Sequence, residues 1–383
     1  MVSVFRPLAG LVALCSLLAV AAGAPAQEDA VPAAAEPAAV PAQFDFEQEQ
    51  PDPVWTTTAA GASLAITREP ANVRRGRGAL DLSWTPVLGR LTFLTAEPVR
   101  AEGRPRALAF SIKVTSPTPL NYGVREADGA TYQGYMYSPG EVWHDLAVDL
   151  DELMLSEGTP DENGRLDVSE ITGIFVGDLS NLSGEAGRSL GIKEGEQHLW
   201  LDDIVLSDRL APHRSRRTAD GVLIIDDFEQ EPILCLPIGG PELTLVAGPG
   251  DDDRSALRVG YDQQGYRWAG FVAAVGYLDL TERTGICLHV RADCPAPLTI
   301  VLEERDGTKY SAREQLDPML GWHDLDLNFT CFTLDRGSTD ENDRLDLDQL
   351  RVLIPVLDTA NAEVGEVGRG VWEVSRITAV NAR

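Results

Sequence analysis

The sequence predicts an all-β protein built as two tandem antiparallel β-sandwich domains. Three observations carry that expectation. Short blocks return once at a near-constant offset, the blocks alternate apolar and polar residues, and turn-forming dipeptides separate them with no sustained helical period. The clearest repeat is WHDLAVDL (143–150), which comes back as WHDLDLNF (322–329), 179 residues later.

The chain opens outside the fold. Residues 1–26 carry a lone positive charge, Arg6, then an apolar run and small residues at Ala24-Pro25-Ala26, which reads as a secretory signal cleaved after Ala26. Cys15 raises a lipoprotein reading, which the large Leu14 before it opposes. Residues 27–42 form an Ala/Pro/Glu tether too poor in large apolar side chains to pack. The first sandwich is expected over 43–208, a charged linker over 209–221 and the second sandwich over 222–383. No other segment approaches the ~20 apolar residues that span a bilayer, so the mature chain is expected without a transmembrane segment. The localisation implied is secreted or periplasmic. Arginine far outnumbers lysine (only Lys113, Lys193 and Lys309), which points to a GC-rich bacterial genome.

Within the copies, FDFEQ (44–48) pairs with IDDFEQ (225–230), and GALDL (78–82) with SALRV (255–259). FSIKVTSPTPL (110–120) pairs with LHVRADCPAPL (288–298), and READGATY (125–132) with EERDGTKY (303–310). TPDENGRLDVSEI (159–171) pairs with STDENDRLDLDQL (338–350). Asp128-Gly129 and Asp306-Gly307 sit between alternating runs, the signature of hairpin turns. The two DEN-x-RLD segments lack the spacing of an EF-hand and read as turns. Each copy is long enough to bury about 70% of the surface its unfolded chain exposes, so neither is expected to need the other for a core.

Adjacent residues of a strand point to opposite faces. In WHDLAVDL, His144 and Asp145 therefore cannot act as a pair, and Trp143 is expected to cap the sandwich interior. The reading is framework.

With 32 basic against 60 acidic residues the formal net charge is −28, the opposite of a nucleic-acid footprint. Cys235, Cys287, Cys294 and Cys331 all lie in the second copy, where export permits disulfides in any of three connectivities. No paired C-x-x-C suggests zinc.

The order of motifs, from the opening D-F-E through D-G-x-x-Y, W-x-x-L-x-V-x-L and L-D-V-S-x-I-x-G-I to L-W-L-D-D-I, resembles family 11 carbohydrate-binding modules and complex I intermediate-associated protein domains, both galactose-binding-like. The resemblance implies two tandem jelly-roll β-sandwich domains. It also implies a calcium ion tying first strand to last in the first domain, through Glu47 and Asp202 or Asp203. In the second copy Ser375 and Arg376 replace the aspartates, and Arg376 is expected to pair with Glu229. Exposed strand-end carboxylates are the alternative reading.

Sugar binding needs aromatic faces for stacking and planar polar side chains for hydroxyls. Tyr122, Arg125, Tyr132, Tyr135 and Tyr137 lie on one hairpin of the first copy, with Tyr135 and Tyr137 on a shared face; Glu303, Arg305 and Tyr310 occupy the corresponding hairpin. The resemblance implies that a polysaccharide or cell-surface glycan binds there. The competing reading is that tyrosines favour strands and fill the sandwich.

Gly187-Arg188-Ser189-Leu190-Gly191 fits G-x-S-x-G, but in a glycine-rich loop rather than a strand–turn–helix. The expectation is a non-catalytic exported carbohydrate-binding protein. The alternatives are a structural or adhesive cell-surface module and a glycoside hydrolase with an unidentified carboxylate pair.

Overall fold

A computed structural model describes residues 43–48, 54–99, 103–156, 158–161, 163–182, 190–209, 222–229, 233–249, 255–262, 268–358 and 369–381. The signal, the tether, nearly all of the linker and Gly187–Ser189 of the G-x-S-x-G match lie outside the described residues.

The chain is all-β, with short 3₁₀ turns. The first domain comprises β1 (Gln43–Phe44), β2 (Val54–Thr57), β3 (Ser63–Thr67), β4 (Ala79–Trp84), β5 (Thr92–Glu97), β6 (Ala107–Val114), β7 (Thr118–Glu126), β8 (Thr131–Ser138), β9 (His144–Asp149), β10 (Met154–Leu155), β11 (Ile171–Asp178) and β12 (Gln197–Ser207). The second comprises β13 (Leu223–Asp226), β14 (Cys235–Ile238), β15 (Glu242–Ala247), β16 (Ser255–Asp262), β17 (Trp268–Ala274), β18 (Gly285–Ala292), β19 (Ala296–Glu304), β20 (Lys309–Leu316), β21 (His323–Asn328), β22 (Thr333–Leu334), β23 (Leu350–Asp358) and β24 (Arg369–Val380).

The duplication is complete at the level of topology. The outer sheet of the first domain runs β3-β4-β12-β6-β9 with β1 on β12, and that of the second runs β15-β16-β24-β18-β21 with β13 on β24. The inner sheets run β10-β8-β7-β11-β5-β2 and β22-β20-β19-β23-β17-β14. Each strand has its counterpart twelve strands later, and all pairings are antiparallel jelly-roll pairings. Both predicted hairpins form: Gly129 (φ 94°) and Gly307 (φ 90°) supply the positive φ that these turns require.

Alternating strands bury one face between the two sheets of each domain. Leu80, Leu82, Phe110, Ile112, Tyr122 and Val124 build the first core, and Leu257, Leu288, Ile300, Leu353 and Trp372 belong to the second. The two domains do not stand apart. Strands β7, β8, β11, β19 and β23 are buried on nearly every residue, because the inner sheets stack on each other. A third apolar layer joins Tyr135, Met154 and Leu179 to Leu236, Val272, Val301 and Ile354. The result is four layers of sheet around three apolar layers: each domain has its own core, and a third apolar layer lies between them.

The WHDL repeat divides as its alternation requires: His144 is buried and Asp145 exposed, accepting from Arg74 and from Ser111 Oγ. The recurring tryptophan, however, does not fill the interior. Trp143 and Trp322 are only half-buried, and Trp322 stacks on His289 (5.4 Å between centroids) beneath Arg291. The preceding turn leaves it beside the outer sheet, and Trp84 and Trp372 take the interior role. The four cysteines are free thiols, three of them buried. Burial, and then the Asp326 carboxyl, push the Cys287 thiol up to about 12.

Candidate functional site: the interdomain cleft

The hairpin chosen from sequence splits its tyrosines between two interiors. Tyr122 and Tyr132 point into the first core, and the Tyr132 hydroxyl donates to Asp161. Tyr135 and Tyr137 do share the opposite face, but the second domain covers it, leaving them 5% and 7% exposed. Gln133 Nε2 donates to Tyr135 Oη at 2.9 Å, and Asn121 Nδ2 donates to Gln133 Oε1 at 3.0 Å. Tyr137 joins the second domain's core, where burial pushes its hydroxyl up to about 12. An open stacking platform is absent from this hairpin, because an apolar sheet buries its rings more favourably than water does.

The other sequence candidates divide similarly. Arg125 is half-buried and pairs with Glu97 at 2.7 Å. Tyr310 lies in the second core and donates to Asp340. Glu303 is buried, 2.5 Å from Lys309 Nζ and 3.7 Å from Arg351. Arg305, at the tip of its hairpin, is exposed.

The calcium candidates meet where β1 joins β12, but the basic loop 73–78 already engages them. Asp202 is fully buried: its Oδ2 accepts the backbone N–H groups of Arg74 and Arg75 (both 2.9 Å), and its Oδ1 that of Asp203 (2.8 Å). Glu47 accepts from Arg77 N and Nε, and the Arg77 N–H holds its carboxyl below the ordinary value. Arg75 Nε lies 3.3 Å from Asp203 Oδ2. The close approach depends on Gly76 (φ 65°), where a Cβ would stand 2.1 Å from Glu47 Oε1. So placed, most of these oxygens are already engaged, whereas a calcium ion needs several free oxygens at once. Among the described residues no group of three His, Cys, Asp or Glu could hold a metal. Nor does any Glu229–Arg376 ion pair form among them; Arg376 stands opposite His289 in the sheet.

What the stacking creates is a cleft of about 620 Å³ between the domains. Its first-domain wall includes Tyr132, Leu150, Leu153, Met154 and Leu155, with Asp151, Ser156 and Arg165; Gly276, Arg305 and Arg351 come from the second domain. Turn chemistry presents two of the arginines. Asp161 Oδ1 accepts the Asn163 and Gly164 N–H groups, and Asn163 Oδ1 accepts that of Arg165, which holds Arg165 at the rim. Asp306 Oδ1 accepts the Thr308 N–H in the turn that carries Arg305. The cleft thus brings together Tyr132 and Arg305, both predicted from sequence, with Arg165 and Arg351, which were not. One signal marks Arg351: the first copy has Thr172 at the corresponding position.

No family model matches the chain, and no curated protein matches it. Among solved structures, the chain is similar to the family 11 carbohydrate-binding module of the cellulosomal cellulase Lic26A-Cel5E of Clostridium thermocellum. The identity is 18%, over 43% of this chain and 97% of that one, at a TM-score of 0.31. The N-terminal tandem of two family 22 modules from Paenibacillus barcinonensis Xyn10C is 14% identical over 91% and 100%, at 0.29. An exo-β-agarase is 16% identical over 49% of this chain and 27% of that one, at 0.34.

Proposed function

We propose that this chain is a non-catalytic, exported carbohydrate-binding protein that holds a glycan in the cleft between its two sandwiches. The observation that carries the reading is the cleft itself: an apolar floor with planar guanidinium donors at its rim, supplied by both domains, the pairing of surfaces that sugar recognition uses. The motif order shared with carbohydrate-binding modules supports it. A glycan array probed with the mature chain, followed by Arg305→Ala on any hit, tests the proposal. Binding that falls with the variant is the expected result, and a blank array overturns it.

A second reading, a structural or adhesive module, is favoured by the burial of the tyrosine face and by the exposed tip Met319–Leu320 (89% and 60% exposed). A blank array together with self-association abolished by Met319→Ser and Leu320→Ser supports that reading.

A further inference from the structure

We infer that the cleft selects polysaccharides carrying anionic groups, either uronate carboxylates or sulfate esters, gripped by Arg165 of the first domain and Arg305 of the second. The inference rests on the reading of the cleft as a glycan site and adds the chemical class of the glycan.

Charge is the first ground. The chain carries a formal −28, yet among the described residues three arginines and one aspartate line the cleft. Arg351 is partly committed, since Glu303 lies 3.7 Å away and is shared with Lys309. Arg165 and Arg305 are not. Both are exposed, and neither guanidinium has an ion-pair or hydrogen-bond partner among the described residues. A planar, rigid fork of donors suits a carboxylate or sulfate oxygen pair better than a neutral hydroxyl.

The second ground is an unused polar atom. Ser156 is 5% exposed and lines the same cleft, and its Oγ has no hydrogen-bond partner among the described residues. A buried hydroxyl left unmatched is costly, and a bound oxygen would satisfy it.

The third ground comes from comparing the copies. Arg305 and Arg351 stand where the first copy has Ala127 and Thr172. Framework positions such as the hairpin glycines are kept in both copies. These two arginines occur only in the second, at positions the stacking turns toward the first.

Isothermal titration of the full chain with oligogalacturonate, a chondroitin sulfate oligosaccharide and a neutral cello-oligosaccharide tests the inference. The protein's own negative charge works against non-specific retention of any polyanion. An anionic oligomer is expected to bind in preference to the neutral one, and more weakly as salt is raised. Arg165→Ala and Arg305→Ala should each raise Kd by about tenfold or more, the scale of a hydrogen bond to a charged group. Arg104→Ala, the same charge change at another exposed site, should leave Kd unchanged, and equal melting temperatures exclude misfolding. The carboxylate and sulfate arms identify the source of the charge. Equal binding of the neutral oligomer, or affinities indifferent to both arginines, overturns the anionic grip and leaves the sugar reading standing. Failure of all three, with a blank glycan array, overturns both.

Discussion

The backbone N–H of Tyr137, in β8, donates to the carbonyl of Ile233, just ahead of β14, at 2.8 Å. This main-chain bond crosses from one domain to the other, and the Tyr137 ring follows it into the second domain's core. Tyr137→Ala should therefore cost about 3 kcal/mol or more, the usual scale for removing a large buried ring. Chemical denaturation measures it. An unchanged midpoint would show that the ring lies on an open face, as the sequence alone suggests.

Separation of the copies exposes the third apolar layer. Residues 222–383 expressed alone should present Leu236, Val301 and Ile354 to water, bind a hydrophobic dye and self-associate, whereas the intact chain does not. A monomeric, dye-silent fragment would contradict the stacked arrangement.

Lys193 and Asp178 form a buried ion pair at 3.0 Å, with side chains 7% and 4% exposed, and Lys193 Nζ also donates to Thr118 Oγ1. Burial lowers the lysine's pKa, and Asp178 works against that. Lys193→Met leaves Asp178 buried without its cation and should cost about 3–5 kcal/mol. Adding Asp178→Leu should recover much of the loss, and a double-mutant cycle reads the coupling.

Glu304, which accepts the Asp346 N–H, is pushed up from 4.5 to about 7, chiefly by desolvation. A carboxyl raised in the folded state binds its proton more tightly there than in the unfolded chain. Its stabilising contribution is thus full below pH 4.5 and is lost as pH rises toward 7. At about 1.4 kcal/mol per pKa unit, the rise from 4.5 to about 7 makes the loss on the order of 3 kcal/mol. Glu304→Gln keeps the acceptor and should flatten that part of the stability–pH curve; a variant with the wild-type slope would assign the effect elsewhere.

Because amides and guanidinium groups already engage the carboxylates where β1 meets β12, neither calcium nor a chelator should move the melting temperature. Asp202→Ala, which orphans three backbone N–H groups, should lower stability by about 3 kcal/mol in either condition. A calcium-dependent rise in melting temperature would show that the loop yields to the ion.

Much of the architecture is local and was legible as such. The Asp-Gly hairpins, the DEN turns and the opposed faces of His144 and Asp145 depend on neighbouring residues in the chain, so alternation and turn chemistry suffice to read them. Trp143 departs from its expected interior place because it lies in the turn before β9, outside the strand period. The cleft was only partly legible: Arg305 stood among the sugar candidates for its place in the hairpin, whereas Arg165 looked like one more polar turn residue.

The sequence by itself determined that one all-β unit is encoded twice and which strand faces turn inward. Only the tertiary structure decided what the outward faces meet. TYQGYMY alternates identically whether Tyr135 and Tyr137 meet water or another sheet, although the near-continuous apolar run of LRVLIPVL in β23 signals cover on both sides. Stacking those two faces buries the tyrosines and brings Arg165 and Arg305 to one cleft. Periodicity reports which residues avoid water; it carries no information about which distant surface replaces it.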